Sequence, residues 1–266
     1  MGLWYLRRGR FRKAEPYLRT AVKVLQRRNP NPYDGEPLYN LALCLKYQAV
    51  AGRTLKGNNY DCDKLDEAYD WAYKSTWNAA WQQAGHMMCA QIASMRGDYI
   101  DALHHVEKSL LSGWHNHKAR ALKVSLLKKL RRKDETFVDY SLQINPFNYG
   151  ILYELGRKDE MRQLMRQDAN NYDELALDYV AAGLYDEALD VWHMAEEEGA
   201  ATAMTHYYIA WLTDSNNSSV TSLDYCFPNR MEAVCALSAF PEDGAACYLL
   251  GCLFYDKRQY IDAAMC

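Results

Sequence analysis

The stretch GLYDEALDVWHMA, residues 183–195, sets Gly183, Tyr185, Ala188, Trp192 and Ala195 at offsets that recur twice elsewhere in the chain. GDYIDALHHVEKS repeats them with Gly97, Tyr99, Ala102, Val106 and Ser109, and GRFRKAEPYLRTA with Gly9, Phe11, Ala14, Leu18 and Ala21. Glycine takes the positive φ that ends a helix without strain. The small residues let neighbouring helices approach closely, and the large residue between them fills the space they leave. Each segment therefore reads as the second helix of a pair. Before the Gly183 segment, NYDELALDYVAAG supplies a first helix with Tyr172, Leu175, Ala176 and Tyr179 on one apolar face. A lone pair leaves an apolar side open until another stacks on it, so such units fold as arrays.

A period near 34 residues with two antiparallel helices per unit resembles the tetratricopeptide repeat. The resemblance implies an all-α fold, a right-handed superhelical solenoid of antiparallel helix pairs. Residues 1–266 would form a single array of about seven to eight units. The first spans 1–26, and the second joins PLYNLALCLKYQ to KLDEAYDWAYKS across AVAGRTLKGNNYDC (49–62), a polar insertion expected to be an exposed loop. A third runs from Trp77 to Gly113. The fourth couples NHKARALKVSLLKKL to a shortened DETFVDYSLQINP, and FNYGILYELGRKDEMRQLMRQ is a compressed fifth. The sixth contains Gly183. The seventh joins AMTHYYIAWL to its partner helix through TDSNNSSVTSLDYCFPNRMEAV, and the last starts at AACYLLGCLFYDKRQYIDAAM. Neither end carries a polar capping unit, so the array is expected to be a fragment cut at both ends.

Seven stretches carry a narrower resemblance: YNLALCLKYQ, YKSTWNAAWQQAG, WHNHKARALK, NPFNYGILYEL, DELALDYVAAGLYDEAL, CFPNR and YLLGCLFYDKRQY. In this order they resemble the tetratricopeptide region of large bacterial proteins with an uncharacterised carbohydrate-enzyme-like β-sandwich domain upstream. The similarity runs from about Pro37 onward and departs at the 49–62 insertion and at the short helix before Asn145. It implies a link to carbohydrate metabolism, with any catalytic apparatus outside these residues.

Composition narrows the partners. A net charge of −3 gives no global attraction to nucleic acid or anionic membrane. No apolar run is long enough to span a bilayer, and the N-terminus lacks a secretory core, so a cytoplasmic location is expected. Most of the eight cysteines sit in apolar helical contexts without CxxC spacing, as buried free thiols would. No nucleophile elbow, phosphate loop or dinucleotide fingerprint appears, and neither cofactor nor metal is expected.

In a solenoid of this family the first helices line the concave face. That places Tyr39, Leu43 and Lys46; Met87, Gln91 and Ser94; Lys118, Ser125 and Lys128; Asp173 and Leu177; Tyr207 and Trp211; and Tyr248 and Tyr255 along it. Ten of these, Tyr39, Lys46, Met87, Gln91, Lys118, Lys128, Tyr207, Trp211, Tyr248 and Tyr255, are the candidate partner-binding residues. The carboxylate clamp of chaperone-binding relatives is excluded, because Tyr39 and Leu43 stand where Lys and Asn would be needed. The aromatics suit a peptide segment, a sugar ring or an attached domain, or they simply cover the inner wall. Trp77 and Trp81, four apart, read as one helix face filling the core between units. His104, His105, His115 and His117 lack zinc spacing and suit capping or hydrogen bonding at unit junctions. KKLRRK (128–133) reads as a solvated helix end favoured by the helix dipole. Two functions follow. One is a non-catalytic interaction scaffold with a groove aromatic at both ends and Lys46, Lys118 and Lys128 between. The other is a structural repeat region packing on the catalytic domain of a larger carbohydrate-active enzyme.

Overall fold

One kind of tight turn recurs along the chain and sets its path. A computed structural model describes residues 1–29, 34–51, 60–215, 222–224 and 226–266, and these are all-helical, with sixteen α-helices and no strand among them. The helices fall into eight consecutive pairs. The first four are α1 (Gly2–Leu6) with α2 (Phe11–Arg28), α3 (Glu36–Val50) with α4 (Cys62–Ser75), α5 (Gln82–Met95) with α6 (Tyr99–Ser112), and α7 (His117–Lys129) with α8 (Glu135–Ile144). Then come α9 (Tyr149–Glu154) with α10 (Lys158–Met165), α11 (Ala169–Ala181) with α12 (Tyr185–Glu197), α13 (Ala203–Thr213) with α14 (Met231–Leu237), and α15 (Gly244–Asp256) with α16 (Tyr260–Met265).

In seven of these pairs the connecting turn holds a residue at positive φ: Gly9, Gly97, Arg131, Gly156, Gly183, Asp214 and Arg258. The residue after it donates its N–H to the carbonyl five positions back. Leu184 reaches Tyr179 at 3.0 Å, Arg132 reaches Leu127 at 2.8 Å, and Gln259 reaches Phe254 at 2.8 Å. This bond satisfies a carbonyl that the helix end leaves orphaned. The turn of the remaining pair falls at 52–59, outside the described residues, and with it most of the loop expected at 49–62. Much of the link expected before α14 (216–221 and 225) lies outside them too. Helix starts are equally regular: Asp98, Asn116, Asp134 and Asn148 each accept the N–H of the third residue onward.

Two compact units gather these helices. One holds the described residues of 1–31, 40–68 and 200–266. Here the α1–α2 turn meets the last pairs: Gln259 Nε2 donates to the Arg8 carbonyl (2.9 Å), and Arg10 pairs with Asp262. Arg19 grips Glu67 with two nitrogens, at 2.5 and 2.7 Å, joining α2 to α4. The core contains Phe11, Leu18, Leu41, Leu45, Leu65, Tyr207, Trp211 and Leu249. The other unit holds 69–199 with the described residues of 32–39. Its core includes Ile92, Val106, Leu126, Ile151, Met161, Tyr172 and Trp192. The small-residue position of the repeat, Ala14, Ala102 and Ala188, is fully buried in every copy.

Two expectations need correction. Trp77 and Trp81 do not share a helix face: Trp77 lies in the turn after α4, 58% exposed, and Trp81 ends a short 3-10 turn, Ala79–Trp81. Of the eight cysteines, all free, only Cys44, Cys89 and Cys235 are buried, while Cys62, Cys252 and Cys266 are exposed. Cys62 opens α4 and Cys266 follows α16, while Cys252 lies on the face of α15 that also exposes Tyr248 and Tyr255.

The turns yield a graded stability test. A Cβ on Gly97 would meet nothing within 4 Å, so Gly97→Ala carries only the left-handed backbone cost, about 1 kcal/mol. On Gly183 the same Cβ would stand 2.7 Å from the Met95 backbone, so Gly183→Ala destabilises further. Arg258→Gly relieves strain at φ +58° and raises stability by up to about 1 kcal/mol. Urea unfolding of the three variants should rank them Arg258→Gly, wild type, Gly97→Ala, Gly183→Ala.

Candidate functional site

In the second unit the first helices of four successive pairs converge on one cleft. From α5 come Met87 and Gln91, and from α7 His117, Lys118, Ala121 and Leu122. The α8–α9 corner adds Phe147, Asn148 and Gly150, and α11 adds Asn171, Glu174, Leu175, Asp178 and Tyr179. Gly150 shapes the floor, for a Cβ there would lie 2.7 Å from that of Ala121 and 3.5 Å from the Leu175 side chain. Asn148 fixes the corner, accepting from the Ile151 N–H and donating to the His117 carbonyl at 3.1 Å. The interior measures about 200 Å³, below the ~300–1,000 Å³ of small-molecule sites, so it suits one inserted side chain.

Charge in this cleft is arranged differently from the expectation. Lys118 is not a free cation: its Nζ lies 2.6 Å from Asp178 Oδ1 and 3.5 Å from Glu174 Oε2. Two carboxylates thus face one ammonium. Lys128 is likewise engaged, its Nζ 3.0 Å from Glu154 Oε2. Glu154, with a side chain only 2% exposed, also accepts from Ser125 Oγ (2.7 Å) and Tyr179 OH (2.9 Å). It ties α7, α9 and α11 together with bonds strengthened by its charge. Burial and the neighbouring Glu154 carboxylate hold the Tyr179 phenol well above its ordinary pKa.

Of the ten candidates, Met87, Gln91 and Lys118 line this cleft. Lys128 lines a second one, of about 580 Å³, floored by Val124, Leu127, Val138 and Leu142. Arg131, Arg132 and Lys133 sit exposed on its rim, and Lys129 pairs with Glu187, in keeping with a largely solvated helix end. Tyr39, in the same unit, packs its ring 4.9 Å from that of Trp81.

In the first unit, Tyr207 and Trp211 must be corrected. They are 0% and 1% exposed and belong to the core, so they present no surface to a partner. Helix α13, AMTHYYIAWLT, is apolar on nearly every side, and such a helix is buried all round. Lys46 is buried as well. Burial lowers its pKa to about 8, although Glu232 opposes the shift. Tyr248 and Tyr255 are open, at 59% and 67% exposure.

Sequence reasoning missed Glu174, Asp178, Asn148 and Phe147. On α11 it selected Asp173 and Leu177, one residue out of register. Asp173 instead accepts from Trp192 Nε1 at 2.9 Å, and Leu177 is buried. The signal was present in Tyr172, Leu175, Ala176 and Tyr179, whose buried face leaves Glu174 and Asp178 stacked one turn apart at its border.

The histidines divide. His115 and His117 are exposed, and Asn116 between them, not a histidine, caps α7. His105 is buried, its Nε2 2.8 Å from Tyr69 OH and its Nδ1 2.9 Å from His86 Nδ1, while Tyr69 also donates to Asp101 at 2.7 Å. Among the described residues no group of three or more His, Cys, Asp or Glu is placed to hold a metal. Nor is any helix among them long and apolar enough to cross a membrane. No protein-family model matches the chain, and no curated protein sequence is significantly similar to it.

The imidazole pair carries a pH dependence. Burial, with His105, His104 and Lys108 nearby, lowers the His86 pKa to about 4 from an ordinary 6.5. The unfolded chain therefore binds the proton first, and stability falls as pH drops from about 6.5 towards 4. The loss is about 2 kcal/mol once solvent screening is allowed for. In His86→Leu, urea midpoints measured at several values across that range should show a flatter decline than in the wild type.

Proposed function

We propose that the chain is a non-catalytic interaction scaffold, a tetratricopeptide-like solenoid whose first helices receive an extended protein segment. The observation that carries this reading is the cleft shared by α5, α7, α9 and α11, with Met87, Gln91 and Lys118 on its walls. A stacked array aligns its first helices side by side, and a cleft crossing several of them fits an extended backbone better than a compact ligand. The walls combine apolar contact from Met87, Leu122 and Leu175 with amide groups from Gln91 and Asn171. Such a preformed surface docks a segment with little ordering of its own.

A second reading makes the array the structural part of a larger bacterial carbohydrate-active enzyme. The exposed face of α15 and α16, with Tyr248, Tyr255, Tyr260 and Ile261, favours it as ground on which another domain would pack.

Selection from a random linear-peptide library on the immobilised chain separates the two. Docking in the cleft predicts recovered peptides whose binding drops about tenfold or more in Gln91→Trp, which blocks the mouth, with the helical circular dichroism unchanged. Recovery of no peptide, or only of peptides indifferent to Gln91→Trp, would sink the scaffold reading.

A further inference from the structure

We propose that the second cleft, formed by α7, α8 and the end of α9, binds a small amphipathic anion, an apolar chain with a single carboxylate head. Of the residues of α8 only Ser141 is buried, and Val138 and Leu142 stay half-buried on the cleft they share with Val124 and Leu127 of α7. Leu155, 44% exposed, adds a further apolar wall. The interior of about 580 Å³ falls within the ~300–1,000 Å³ of small-molecule sites, unlike the cleft that Met87 lines.

Charge places the head. Several charged groups on the lining are already engaged: Lys128 with Glu154, Arg157 with Glu160, and Asp134 with the Phe137 N–H and Lys123. Arg131, Arg132 and Lys133 are exposed, form no ion pair among the described residues, and follow one another in the α7–α8 turn. The apolar floor runs away from that turn. Leu127 and Val124 lie about one and two helical turns back along α7, and Val138 and Leu142 about one and two turns on along α8. A head at the turn and a chain along the floor therefore meet matching surfaces. Guanidinium groups suit a carboxylate, because their planar N–H donors engage both of its oxygens. Against these three cations stand two carboxylates that also form no ion pair, Glu135 and Asp139, exposed and one turn apart on α8. They oppose a second negative charge along the chain, which restricts the ligand to one anionic head.

Isothermal titration calorimetry of the full chain with octanoate, octanedioate, octanol and octyltrimethylammonium tests this assignment. Octanoate should bind saturably at one site, about tenfold or more tighter than the other three, and its advantage over octanol should shrink as salt rises. Arg132→Gln/Lys133→Gln changes only exposed side chains and should bring octanoate close to octanol, while Val138→Trp fills the floor and should abolish binding. Equal affinities for octanoate and octyltrimethylammonium would overturn the proposal. So would octanoate binding untouched by Arg132→Gln/Lys133→Gln, or the absence of saturable octanoate binding in the wild type.

Discussion

The left-handed residue that follows seven of the eight first helices is the constraint on which the rest depends. A helix stops where a residue enters positive φ and the next N–H returns to the carbonyl five positions back. Where only three residues separate the two helices, as around Gly97, Gly156, Gly183 and Arg258, the second helix can only fold back beside the first. Glycine occupies this position at Gly9, Gly97, Gly156 and Gly183, but Arg131, Asp214 and Arg258 hold it in the other three described turns. Since the same return bond closes all seven turns, it is the geometry that recurs, with glycine its least strained occupant.

From that reversal the site follows in steps. In the second unit it brings successive first helices alongside one another, and small residues then decide how closely they sit. Gly150 lets α9 approach Ala121 on α7, while the buried Glu154 carboxylate draws Ser125, Lys128 and Tyr179 onto one point. A buried acid with three donors holds a tightly specified geometry, because leaving any of them unpaired would cost more than the bond contributes. The cleft lies beside this node, whose bonds fix the spacing of α7, α9 and α11.

How much of this the sequence revealed depends on the kind of interaction. Helix positions were legible because the five-position spacing records backbone turn and close approach together, and the described helices fall on the segments the sequence assigned to them. Register within a first helix was less legible. On α11 the spacing rule chose Asp173 and Leu177, while the face set by Tyr172, Leu175 and Tyr179 puts Glu174 and Asp178 at the cleft. Trp211 and Tyr207 were misjudged because an aromatic on an all-round apolar helix signals core, and only the width of the apolar arc distinguishes it from a groove wall. The pairing of Lys118 with Asp178 spans sixty positions, and no local pattern encodes it.

That pairing removes Lys118 from the cations the sequence offered to a partner. Counted along the sequence, Lys46, Lys118 and Lys128 suggest a cationic surface. In the folded chain Lys46 is buried, and Lys118 and Lys128 are spent on the protein's own carboxylates. The most direct measurement is a methyl NMR spectrum of the chain carrying 13C-methyl methionine, recorded with and without a peptide selected on the immobilised chain. Met87 lines the cleft, whereas its neighbours Met88 and Met95 are buried. Docking in the cleft predicts a shift of the Met87 resonance with Met88, Met95 and Met204 nearly still. A silent Met87 with shifts at Met265 or other distant methionines would contradict it.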